Sequence, residues 1–281
     1  MINNKHDNNV VAKASLPGYA RLPINRCNLP AVILGSLSFQ QHPVALQLDG
    51  VHELHKNLFN KLATLDTQTE RAEYFMDYMV VHFRMHQLED AGLNKGDRKK
   101  RSKADYLRLL RGWLFDADSR EAAVLKSWVE SRFGLLPRYH KVPLRDYSEK
   151  NYQAYLQARS EGIYATNALE SQFDLLYSYC QYELGIKYKS LEHIKLYRGV
   201  NKVDSYEVLQ QKNKRNAIVL LNNLNSFTSK CERACEFGDY IMEVVVPWQK
   251  ILFYSNLIPG SFSGEEEMLV IGGVYEVEIL L

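Results

Sequence analysis

Cysteine is scarce in this chain, with Cys27, Cys180, Cys231 and Cys235 the only four among 281 residues. Four scattered thiols cannot build a disulfide framework, and their spacing fits a reducing compartment. Cys231 and Cys235 suit one helix face, but no second pair completes a zinc site, so all four read as free thiols. Charge of one sign is also lacking, since 35 Lys and Arg against 33 Asp and Glu leave +2 at neutral pH. A balance this even argues against bulk affinity for nucleic acid or anionic membrane. No stretch approaches the ~20 continuous apolar residues of a membrane span, and Met1-Ile2-Asn3-Asn4-Lys5-His6-Asp7 lacks the apolar centre of a signal peptide. A cytoplasmic protein is expected. Internal repeats and low-complexity tracts are absent as well.

What the chain does have is apolar periodicity, with 46% hydrophobic residues, enough for a sizeable core. Up to about Val51 the sequence is rich in Pro, Asn and Gly and is expected to wrap irregularly over the surface. Helical spacing follows in Ala72, Phe75, Met76, Met79, Val80 and Phe83, and again in Tyr106, Leu109, Leu110, Trp113 and Leu114. After a break near Asp116 to Asp118 it resumes through Val124, Leu125, Trp128, Val129 and Phe133, and then in Phe173, Leu176, Tyr177, Cys180 and Leu184. These stripes read as core. From about Ile194 the runs become short and extended, at 194–197, 217–221, 240–246, 251–254 and 268–271. Gly272-Gly273 supplies the pair a tight hairpin wants, with Tyr275, Val277, Ile279 and Leu281 alternating in a returning strand. The expected class is α+β, one integrated domain over 1–281, mainly helical to about 190 and mainly β over about 191–281.

The densest chemistry lies in Gly264-Glu265-Glu266-Glu267-Met268-Leu269-Val270-Ile271-Gly272-Gly273. Alternation along a strand predicts Glu265 and Glu267 on one face and Glu266 on the other. Two carboxylates in one space can divide labour, one opposing positive charge at a sugar carbon and the other handling an incoming nucleophile. An acidic triplet by itself also fits a solvated edge. Upstream, Leu196-Tyr197-Arg198-Gly199-Val200 places Arg198 on the face of Ile194 and Leu196. A planar guanidinium suits bidentate capture of phosphate, and Gly199 permits close backbone approach, although a lone arginine also fits a structural ion pair. Between them, Asn222-Asn223-Leu224-Asn225-Ser226-Phe227-Thr228-Ser229 sets three hydroxyls at the end of an apolar strand, a pattern that equally suits a turn or cap.

An arginine, then a Ser/Thr strand, then Glu-x-Glu before hydrophobics resembles the Arg-Ser-Glu class of mono-ADP-ribosyltransferases. Ile258-Pro259-Gly260-Ser261-Phe262-Ser263-Gly264 resembles the target-recognition turn of that class. More narrowly the chain resembles the dinitrogenase reductase ADP-ribosyltransferases, through Leu107-Arg108-Leu109-Leu110-Arg111-Gly112-Trp113, Lys126-Ser127-Trp128-Val129-Glu130-Ser131-Arg132-Phe133-Gly134-Leu135, and the three segments just named. The resemblance implies NAD held in a cleft between two sheets, with ADP-ribose passed to an arginine of the nitrogenase iron protein. It also implies regulation by a PII-type signalling protein. Arg198 would hold the NAD phosphates and Gly199 would lie near the nicotinamide amide. Glu267 would bind the nicotinamide-ribose 2′-hydroxyl and stabilise an oxocarbenium-like transition state, while Glu265 would orient the target guanidinium. Ser226 is favoured as the hydroxyl that holds Glu267, with Thr228 and Ser229 as alternatives, because Ser226-Phe227-Thr228 departs from the usual Ser-Thr-Ser. Phe262 would contact nicotinamide or the target, or simply pack the turn.

Competing readings keep the chemistry but change the acceptor, to another protein or to water, or make the chain a non-catalytic NAD-sensing module. His82 with His86 and His52 with His55 lie near one helical turn apart, but neither pair has a third ligand close in sequence, so no metal is expected. The basic run from Lys95 to Lys103 reads as a solvated loop that would also steer an acidic protein partner.

Overall fold

The computed structural model describes residues 15–85, 105–146, 148–163, 168–201, 206–262 and 266–280. Glu265, the basic run at 95–103 and His86 lie outside them. Helices occupy the chain to Lys187: α1 (Ala31–Leu34), α2 (Leu37–Gln41), α3 (Val51–Leu54), α4 (Lys56–Leu62), α5 (Gln68–His82), α6 (Tyr106–Phe115) and α7 (Arg120–Phe133) come first. The two-residue strands β1 (Tyr139–His140) and β2 (Val142–Pro143) interrupt them before α8 (Lys150–Ile163) and α9 (Leu169–Lys187). The rest is β3 (His193–Val200), β4 (Glu207–Gln211), β5 (Asn216–Thr228), the short α10 (Cys231–Ala234), β6 (Tyr240–Pro247), β7 (Ile251–Tyr254) and β8 (Glu267–Leu280). Helix ends are set by side chains the sequence supplies. Thr67 and Glu70 form a reciprocal capping box on α5, Asp105 caps α6, and Ser119 caps α7 just after the acidic break.

The six later strands form one antiparallel sheet in the order β4-β5-β3-β6-β8-β7, with β5 also pairing β8. The expectation of two separate sheets is thereby revised. Both long strands run through a bend, so residues 216–221 of β5 pair with 273–278 of β8, and 224–228 pair with 267–271. Leu196, Val219, Phe227, Met242, Val244, Val270, Tyr275 and Val277 fill the space inside the curved sheet. Its other side packs on the helices through Ile218, Leu220, Leu224, Leu269 and Ile271. All the apolar helix stripes read from the sequence contribute to that larger core, which includes Phe75, Trp113, Trp128 and Phe173.

Two expectations fail for stated reasons. Gly272 and Gly273 do not turn a hairpin, because β8 continues through them without interruption. A side chain at Gly272 would overlap the Asn222 carbonyl oxygen, and one at Gly273, where φ is +126°, would crowd the Gly35 backbone. These glycines serve close backbone approach at the bend, where the Val274 N–H also donates to the Gly35 carbonyl at 2.8 Å. The opening segment is irregular but does not merely wrap the surface, since Leu34, Leu37 and Phe39 enter the main core. Opposite Gly272, Asn222 and Asn223 sit where the β5–β8 register shifts. Their amides donate to the carbonyls of Tyr139, Lys126 and Leu135, tying the bend to the middle of α7, to the chain just beyond that helix and to β1.

Candidate active site

The bend carries the ends of β3, β5 and β8 to one place. Thr228, near the end of β5, has Tyr197 of β3 as its Cα partner on one side and Glu267 of β8 on the other. Glu267 opens β8, and its backbone is fixed by Ser255, whose Oγ accepts the Glu267 N–H at 2.9 Å and donates to the Glu267 carbonyl at 3.1 Å. The carboxylate-bearing residue is thus anchored at its main chain by a side chain that sequence reasoning overlooked. Glu266 departs from the alternation expected of the triplet. It precedes the strand with φ +46°, and its carboxylate pairs with Lys230. The extended run therefore begins at Glu267.

Arg198 is half-buried on β3. Its Nη1 donates to the Ser226 carbonyl at 2.7 Å and its Nε to the Tyr206 hydroxyl at 3.0 Å. Burial works against the charge, yet Tyr206 and then the carboxylates of Glu267 and Asp118 outweigh it and hold the guanidinium pKa above its ordinary value. Arg198 therefore stays cationic, and among the described residues its other N–H groups make no hydrogen bond. Gly199 is close-packed in a different sense from the one expected. A side chain there would collide with the Ala234 carbonyl and the Gly238 amide, so this chain's own backbone makes the close approach.

The hydroxyls divide. The Ser226 Oγ accepts the Trp113 indole N–H at 2.9 Å. Thr228 is buried, its Oγ1 accepting the Lys230 N–H at 3.2 Å, and Ser229 is exposed. Register puts Thr228 directly across from Glu267, with Ser226 two residues along the same face of β5 and opposite Leu269. Phe262 is buried, edge-on to Phe253 with ring centroids 5.1 Å apart, and the Arg111 guanidinium lies 5.9 Å from its centroid.

Behind Ser226 lies a polar cluster that the helical stripes concealed. The Lys126 ammonium, buried on α7, donates to Asp118 at 3.0 Å, contacts the His140 Nδ1 at 3.3 Å and sits 5.7 Å from the Trp113 ring centroid. Burial, followed by Lys126, pushes His140 down to about 4, so it is neutral at physiological pH and its Nδ1 accepts from the ammonium. Burial lowers the Lys126 pKa despite Asp118. For Asp118, the pull of Lys126 and a backbone bond overcomes burial and keeps the carboxyl below the usual range. No local pattern marks this cluster in the sequence, because Asp118, Lys126 and His140 come from a loop, a helix and a two-residue strand.

Among the described residues no group of three or more His, Cys, Asp or Glu side chains is arranged to hold a metal ion, and no helix is long and apolar enough to cross a membrane. His55 bonds Tyr78 at 3.0 Å and lies beside His82, and burial followed by His82 pushes it to about 4.

Comparison with known proteins covers nearly the whole chain. The family profile described as dinitrogenase reductase ADP-ribosyltransferase matches residues 24–279. The NAD(+)–dinitrogen-reductase ADP-D-ribosyltransferase of Rhodospirillum rubrum is 36% identical over 257 residues, covering 90% of this chain and 93% of that protein. No solved structure matches significantly.

Proposed function

This chain belongs to the dinitrogenase reductase ADP-ribosyltransferase family, and from that premise we propose how its residues move ADP-ribose from NAD to an arginine of dinitrogenase reductase. The observation that carries the reading is the convergence of Arg198, Ser226, Thr228 and Glu267 at the bent end of the sheet, within the family match. Arg198 binds the diphosphate of NAD with the donors that Tyr206 and the Ser226 carbonyl leave open. The substrate then lies along the strand ends, in a cleft of the folded sheet. Glu267 accepts a hydrogen bond from the nicotinamide-ribose 2′-hydroxyl.

As the bond between ribose C1′ and the nicotinamide nitrogen breaks, the bonding pair leaves with nicotinamide and positive charge develops on the ribose. The fixed Glu267 carboxylate opposes that charge, the electrostatic logic of glycoside cleavage. A guanidinium nitrogen of the target attacks C1′, forms the new N-glycosidic bond and loses a proton, for which Glu265 is the proposed acceptor. Modification of the iron protein inactivates it and so regulates nitrogen fixation. A PII-type partner and a cytoplasmic setting complete the proposal, with 1–281 acting as one integrated domain.

The test is labelled NAD with purified dinitrogenase reductase. Wild type is expected to fix label on an arginine. Glu267→Gln is expected to lose about 100-fold or more in rate while still binding NAD, because its main interaction is made in the transition state. Near-normal transfer by Glu267→Gln would remove it from the site. Glu265→Gln is expected to release nicotinamide into water but not to modify the acceptor. If both reactions fall together, the proton-accepting role is wrong.

A further inference from the structure

Trp113 stands out because it combines near-complete burial, 2% exposed, with a polar bond aimed at the site rather than into its own helix. An indole N–H can only donate, so in the Trp113–Ser226 pair the serine oxygen must be the acceptor. A hydroxyl that accepts from one side directs its own proton elsewhere. The backbone of the same serine is held independently, by Arg198 at its carbonyl. On the neighbouring strand Glu267 lies diagonal to Ser226, within the reach of a long side chain across an antiparallel pair.

We infer that Trp113 is a positioning residue, which locks the Ser226 hydroxyl as a hydrogen-bond acceptor toward α6 and thereby turns its proton toward the Glu267 carboxylate. The inference rests on the reading of Ser226 and Glu267 given above. The indole is itself braced. Its face lies against the Lys126 ammonium, and that ammonium is fixed by Asp118. The line Asp118, Lys126, Trp113, Ser226 thus carries rigidity from the start of α7 to the site. A purely structural bond would instead only satisfy the buried indole donor. The two differ in whether losing the indole N–H matters once Ser226 is gone.

A double-mutant cycle separates them. Transfer from labelled NAD to dinitrogenase reductase is measured for Trp113→Phe, Ser226→Ala and the double variant, alongside NAD affinity and melting temperature. Each single change is expected to lower kcat about tenfold, the scale of one lost hydrogen bond, with KM for NAD within about twofold. The double variant is expected to match Ser226→Ala alone. Losses that multiply in the double variant, or a Trp113→Phe enzyme with normal kcat, would overturn the inference while leaving Ser226 in place. A neutral Ser226→Ala would instead sink the Ser226 reading, and the inference with it. If Trp113→Phe fails to fold, site-specific replacement of Trp113 by benzothienylalanine keeps both rings and deletes only the N–H, and the same comparison applies.

Discussion

Arg71 and Arg132 in the helical region and Arg198 in the sheet are all drawn away from solvent, but their partners differ. Arg71 donates Nε and Nη2 to the two oxygens of Glu183 at 2.6 and 2.9 Å, and its Nη1 reaches the Leu65 and Asp66 carbonyls. Arg132 grips Asp174 the same way at 2.6 and 2.9 Å and adds Glu170 at 3.0 Å. Both guanidinium groups are matched by carboxylates, as a charge sealed in a core must be. Arg198 has instead a phenol and a main-chain carbonyl, and among the described residues no carboxylate lies within ion-pair distance. Its charge is kept by Tyr206 and then by the more distant carboxylates of Glu267 and Asp118. An arginine with its donors spent on carboxylates holds a fold together, whereas the half-buried Arg198 keeps donors that the proposed reading assigns to the NAD diphosphate.

The comparison breaks most visibly at Arg71. Arg71→Met leaves the Glu183 carboxylate buried and alone, which is expected to cost about 3–5 kcal/mol in urea unfolding. Replacing the pair together, Arg71→Met with Glu183→Leu, is expected to recover most of that loss. If the single variant is as stable as wild type, the pair does not seal the core and the contrast with Arg198 collapses. A smaller effect is expected at Arg198, of a different kind. Arg198→Lys keeps the charge but loses the fork, so NAD affinity is expected to fall about 10- to 100-fold by calorimetric titration, while the unfolding midpoint moves little. A stability loss equal to that of Arg71→Met would show that Arg198 is structural after all.

How far these roles were legible follows from the range of each interaction. The helices are written in periodic apolar stripes and in local caps such as Thr67 with Glu70, so spacing alone locates them. The order Arg198, Ser226, Glu267 is readable because each sits on its own extended run. What a linear reading misses is set by contacts far apart in sequence. Trp113 reads as one more core aromatic, and only the path of β5 reveals that its N–H meets Ser226. Tyr206 and Ser255 hold Arg198 and Glu267 without belonging to any local pattern. Gly272-Gly273 carries a hairpin signature, but the Asn222 and Gly35 backbones that pass beside it make the pair a crossing point inside one strand. Of the acidic triplet, only Glu267 lies in the strand, because Glu266 precedes it in the left-handed region and Glu265 is outside the described residues.

Lys250 sharpens the comparison from the other direction, as a fully buried lysine with no carboxylate within ion-pair distance among the described residues. Its ammonium donates to the Gly272 carbonyl at 2.8 Å and lies 5.6 Å from the Phe39 ring centroid. Burial pushes its pKa down to about 7, from the 10.5 expected of a solvated lysine. Between those two values the unfolded chain holds the proton and the folded chain does not, so stability rises with pH through that window. Well below pH 7 both states are protonated and this lysine contributes no slope. From pH 6 to pH 8 the expected gain from Lys250 is about 1.4 kcal/mol, the equivalent of one pKa unit. Urea midpoints of wild type and Lys250→Met at the two pH values isolate it, since His55 and His140 titrate alike in both proteins. The variant is expected to lose that increment, with any cost of the unpaired Gly272 carbonyl equal at both pH values. An unchanged increment would mean that Lys250 keeps its proton in the folded state, which, with no carboxylate beside it, would require the Gly272 carbonyl and the Phe39 ring to hold a charge that Arg71 and Arg132 hold only with acids.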